Sequence, residues 1–139
     1  MFWGLGVTAV ITIAILSRVG DWRRDFTTNV ASTANGTDLE PLRLEGTVDD
    51  AIVSLKVALD SMSNWQLVNS QNVPEMTVID LVRTTPIFRF KDDVKVSIRK
   101  DDSRNGVIID AVSRSRVGKG DLGQNPRNIR ELFGRWSMR

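Results

Sequence analysis

Apolar residues recur along this chain in three rhythms, and each rhythm predicts a different element. The first is an unbroken run. Residues 2–17, FWGLGVTAVITIAILS, carry no charge. A helix of that length spans ~24 Å, somewhat short of a bilayer core at ~30 Å. Trp3 and Trp22 extend it, since their separation corresponds to ~28 Å along a helix, one indole at each interface. Arg18 can snorkel, and Arg23 and Arg24 then lie among head groups. A single transmembrane helix over 1–22 is therefore expected. A cleaved signal peptide is the alternative, but ILSRVG is a poor cleavage site and no basic segment precedes the run. Gly4, Thr8 and Thr12 form a small-residue ridge of the kind that admits a second helix, or simply ordinary membrane composition.

The second rhythm is helical. Thr47-Val48-Asp49-Asp50 resembles a capping box. Val48, Ala51, Ile52, Leu55, Ala58, Leu59 and Met62 then follow at steps of three and four, an amphipathic helix facing a core. A last helix is expected from Asn125, with Asn as cap, Pro126 in the first turn, and Ile129, Leu132, Phe133 and Trp136 as its stripe.

The third rhythm alternates. Val94, Val96 and Ile98 share one face of a strand, and Lys95, Ser97 and Arg99 share the other. Asn105-Gly106 marks a hairpin into a returning strand over Val107–Ser115. Trp65–Asn69, Thr77–Arg83 and Ile87–Phe90 read as further strands. Residues 23–44 are polar and aperiodic, a linker or extended arm. The expected fold is α+β: an antiparallel sheet of about four to five strands over 45–139, flanked by an N-terminal and a C-terminal helix and preceded by the transmembrane helix.

Composition narrows the chemistry. The chain has 139 residues, net charge +2, and no Cys, His or Tyr. Cysteine nucleophiles, imidazole bases, disulfides and Cys/His zinc sites are excluded. The near balance of charge argues against nucleic acid as a partner. No cofactor and no metal are expected.

The polar residues of interest crowd into 87–130. Gly118-Lys119-Gly120-Asp121-Leu122-Gly123 spells GxGxxG between a strand and a helix. The parallel βαβ context and downstream acid of a dinucleotide site are missing, so the glycines read as a tight loop. Arg116, Lys119, Arg127 and Arg130 surround a helix start that attracts anions. They form either a site for phosphate or a lipid head group, or a set of internal ion pairs with Asp92 or Asp121, Asp92–Arg116 being one such pair. Asp92 and Asp93 are adjacent in a strand, point to opposite faces and do not share a proton. Ser115 and Lys119 as a dyad carry little information. Ser113 and Ser115 fall in phase with Ile109 and Ala111 and read as inward-facing.

Three blocks resemble a known pattern. They are Arg89-Phe90-Lys91-Asp92-Asp93-Val94, then Ser113-Arg114-Ser115-Arg116-Val117-Gly118, then Asp121-Leu122-Gly123-Gln124-Asn125 followed by Arg127. Together they resemble the family catalogued as domain of unknown function 1499, over residues ~45–137. The resemblance implies a small extracytoplasmic or thylakoid-associated domain of bacteria, cyanobacteria and plastids, with no established activity. Many members carry a cysteine segment or a lipoprotein cysteine, and this chain has neither. The expected function is a non-enzymatic, membrane-anchored accessory subunit docked on a larger membrane complex, in a photosynthetic organism a photosystem or a related assembly. The expected partners are membrane lipid and other membrane protein subunits. The alternative is an anion or lipid head-group binder using the glycine loop and the arginine cluster.

Overall fold

The computed structural model describes residues 30–33, 38–118 and 123–138. Its elements are β1 (Val30–Ser32), β2 (Leu42–Glu45), α1 (Val48–Asp60), β3 (Trp65–Val73), β4 (Met76–Thr84), β5 (Lys91–Asp101), β6 (Gly106–Ser115) and α2 (Gln124–Ser137). They form one antiparallel sheet in the order β1-β6-β5-β4-β3, with β2 also on β6. The arm before residue 45 thus belongs to the sheet. β1 lies along the C-terminal half of β6 and β2 along its N-terminal half. This interrupted border strand has no apolar rhythm long enough to be read from sequence.

Alternation decides which face is covered. Ile79 and Leu81 of β4, Val94, Val96 and Ile98 of β5, and Val107, Ile109 and Ala111 of β6 are buried under the helices. The facing stripe comes from Ala51 and Leu55 of α1 and from Ile129, Leu132 and Trp136 of α2. Trp136 ties the helices together: its Nε1 donates to Ala51 O at 3.1 Å and to Ser54 Oγ at 2.8 Å. The opposite face of the sheet mixes apolar residues, such as Val82 and Ile108, with polar ones and is crossed by ion pairs, Lys95–Asp80 at 3.1 Å and Arg116–Asp93 at 2.6 Å among them.

α1 starts as expected. Thr47 Oγ1 accepts from Asp50 N, and Asp50 returns a carboxylate to Thr47 N. α2 starts differently. Its cap is Gly123 at φ +75, without a side-chain capping bond, and Asn125 lies inside the helix with its amide committed to the core. The Ile87–Phe90 strand is also absent, because Pro86 removes a backbone donor and residues 86–88 form a turn.

The expected fold class needs a larger correction. Among the described residues no helix is long and apolar enough to cross a membrane. The helices are 13 and 14 residues long and amphipathic, against the ~20 apolar residues a span requires. The span expected over 1–22 lies outside the described residues, with Trp3, Arg18, Trp22, Arg23 and Arg24. The α+β sheet stands. The preceding transmembrane helix, and the single-pass thylakoid or inner-membrane location built on it, are left without structural support and are withdrawn.

Candidate functional site

Most of the sequence-flagged polar residues lie at one end of the sheet, but they divide between its two faces. On the covered face, Asp92 of β5 is directly opposite Arg83 of β4 on one side and Ser115 of β6 on the other, and Trp65 of β3 is opposite Arg83. The first turns of α2 lie over this row. Asn125 and Asn128 are three residues apart, so both point down from one helix face. Together these side chains form a directed chain. Asn128 Nδ2 donates to Asp92 Oδ2 at 2.8 Å and to Ser113 Oγ at 3.1 Å. Ser113 donates to Asn125 Oδ1 at 2.6 Å, and Asn125 Nδ2 donates to Ser115 Oγ at 3.0 Å. Gln124 closes the top, donating to Asn128 Oδ1 at 2.7 Å. Asp92 is 2% exposed, and Ser113, Asn125 and Asn128 are fully buried. Such a network holds a helix at a fixed position on a sheet, because every displacement strands a buried polar group.

The other face holds Asp93 and Arg116. Arg116 grips Asp93 through Nε and Nη2, and Asp93 raises the guanidinium above its ordinary value by hydrogen bond first and by charge second. The expected Asp92–Arg116 pairing is therefore corrected to Asp93–Arg116, as the strand's alternation requires. Arg130 pairs with Asp38 at 3.0 Å, on an exposed side of α2. Arg127 donates to Gln124 Oε1 at 3.4 Å. Gly118 has φ +90. Lys119 and Asp121 lie outside the described residues. The four basic residues expected to face one anion thus do not share a described site: Arg116 and Arg130 each hold a separate carboxylate. Among the described residues no group of three or more Asp or Glu is placed to hold a metal.

Beyond the polar row, the β4–β5 connection projects into solvent. Thr85 closes its neck: Thr85 N donates to Phe90 O at 2.8 Å, and Thr85 Oγ1 accepts from Phe90 N at 2.9 Å. Arg89 turns the chain with φ +56, a strained conformation for a residue with a Cβ. The tip presents Ile87, Phe88 and Phe90 at 80%, 61% and 48% exposure. The two phenyl rings stack on each other at 5.6 Å. Val117 is exposed as well, and its neighbour Arg116 is bonded to Lys91 through the backbone.

These placements set the motif blocks in one context, and a family-level match covers nearly all of it. The family model described as "Protein of unknown function (DUF1499)" matches residues 16–135. The chain belongs to the DUF1499 family. Searches among curated proteins and among solved structures give no match. In this DUF1499 domain the motif residues Asp92, Ser113, Ser115 and Asn125 are the buried network, while Arg89, Asp93 and Arg116 lie outside it. Sequence reasoning missed Asn128, whose signal was its helical spacing from Asn125. It also missed Arg83, which is in phase with the inward-facing Ile79 and Leu81, and the exposure of the tip.

Proposed function

We propose that this DUF1499 domain is a non-enzymatic accessory module that docks on a larger protein assembly through the β4–β5 tip. The observation that carries this reading is the cluster of Ile87, Phe88 and Phe90 held out in solvent on a closed neck. A stacked aromatic pair is a large, rigid apolar payload, and such side chains dominate the energetics of protein contacts. Arg89 sits between the phenylalanines and Lys91 follows them, and neither has an ion-pair partner among the described residues. The partner this chemistry fits is a protein with an apolar pocket rimmed by carboxylates. The buried polar network supports a scaffolding part for the motif residues, since Ser113 and Asp92 are 0% and 2% exposed and are held by side chains of α2. An anion site on the arginines has less support, because Arg116 and Arg130 are already engaged by Asp93 and Asp38.

The test is native-gel sizing of tagged full-length protein from its own host. The wild type is expected to run in a large complex. Phe88→Ser with Phe90→Ser should release it while the melting curve stays in place, and Arg89→Glu should weaken the complex alone. A double variant that keeps its complex, or a wild type that runs as an isolated chain, overturns the reading.

A further inference from the structure

Two buried donors on neighbouring strands lack an acceptor among the described residues. Nη1 of Arg83 and Nε1 of Trp65 are both buried, and neither has a hydrogen-bond partner there. The two residues are directly opposite across β3 and β4, which places their Cβ atoms about 4.5–5.5 Å apart on one face. Both groups only donate, so the missing partner is an acceptor and not a cation. A buried donor left unsatisfied is expensive, and more so on a charged group.

The rest of the guanidinium is thinly held. Its side chain is 10% exposed, and among the described residues it makes a single hydrogen bond, from Nε to Glu131 Oε2 at 3.0 Å. Asp92, opposite Arg83 on the other side, is turned to Asn128 instead. The Glu131 side chain is 40% exposed, so it stands at the protein boundary and can swing into water at small cost. When it does, the guanidinium fork and the indole N–H become donors to one incoming group. Charge selects that group. Arg83 already stands between two carboxylates, so an anion added to both is repelled, whereas one carboxylate replacing another leaves the balance unchanged. A phosphate, carrying about −1.5 to −2 at neutral pH, does not. A planar carboxylate also matches the guanidinium fork.

We propose that Arg83 and Trp65 form a carboxylate-binding site in which Glu131 is the resident competitor, independent of the contact at the hairpin tip. The ligand is a single carboxylate, borne by a small organic acid or by a protein chain terminus.

The experiment follows the Trp65 indole N–H signal of the purified full-length chain by nuclear magnetic resonance, assigned with Trp65→Phe. Acetate is titrated against chloride at equal ionic strength, with inorganic phosphate as a second comparison. The Trp65 signal is expected to move saturably with acetate alone. Arg83→Lys should abolish the movement, because Lys lacks the fork. Glu131→Gln should tighten acetate binding roughly fivefold by disarming the competitor, and this variant decides the matter if Arg83→Lys does not fold. A short peptide with a free C-terminal carboxylate, compared with its amide, separates the two sources: tighter binding than acetate, lost on amidation, identifies a chain terminus, and equal binding identifies a small acid. No movement with either carboxylate, an equal movement with chloride or phosphate, or unchanged affinity in Glu131→Gln overturns the site.

Discussion

At the scale of single residues, Asn128 is the pivot of the buried network. Its amide nitrogen serves Asp92 and Ser113 at once, and its oxygen accepts from Gln124. Truncation strips a donor from a carboxylate that stays buried. Asn128→Ala is therefore expected to lower stability by about 2–4 kcal/mol, a cost dominated by the stranded partners rather than by the bonds themselves. Urea unfolding of the variant beside wild type checks this. A loss below about 0.5 kcal/mol would mean that Asp92 needs no help from α2. The comparison with Asp93 is instructive, since one position along the strand moves a carboxylate from this sealed setting to an open ion pair. Removing Asp93 should leave the melting curve almost unmoved, as exposed pairs contribute little.

At the scale of elements, the β5–β6 hairpin is locked by an acid. Asp101 is buried and accepts from Ser103 N at 3.0 Å and Ser103 Oγ at 2.6 Å, while its other oxygen takes Arg43 of β2 at 2.7 Å. The Ser103 hydroxyl above all, with Arg43 assisting, holds the Asp101 carboxyl below its ordinary 3.8. A folded value under the unfolded one contributes stability above 3.8, and that contribution is lost as the pH falls through the folded value. The gap in melting temperature between wild type and Asp101→Asn should therefore shrink as the pH falls from about 6 to about 2. A constant gap would show that the charge has no part in holding the turn. This hairpin was legible in the sequence, since alternation in Val94–Ile98 and the Asn105-Gly106 turn are local signals. So was α1, whose capping box and stripe agree. The site was legible only in part. Ser113 and Ser115 declared their inward phase, but their partners on α2 depend on how a helix is laid across a sheet. Asn125 misled because its chemistry suits a helix cap equally well. Ile87–Phe90 misled because β-forming residues in a short apolar run look the same in a strand and in an exposed turn.

At the scale of the whole molecule, the stretch before residue 45 is part of the folded unit. Ala31 and Leu39 are buried, and Thr33 Oγ1 accepts from Ala111 N at 3.0 Å while donating to Asp110 at 2.9 Å. β2 is pressed so close that a Cβ on Gly106 would stand 2.4 Å from Leu44 O. A chain beginning at residue 45 is thus expected to be less stable than one beginning at residue 27 by roughly 2–5 kcal/mol, the scale of losing one large core side chain. Chemical denaturation of the two truncations decides it, and equal midpoints would make the arm dispensable. The two borders of the sheet also differ. β1 and β2 break one into short pieces. β3 runs along the other, with its pairing shifted between Leu67 and Asn69 and a polar stretch, Asn69-Ser70-Gln71-Asn72, beyond. Strands that are short, kinked or polar are poor templates for further chains. The domain can therefore hold an apolar hairpin tip in solvent without inviting its own copies to stack into fibrils along the borders of the sheet.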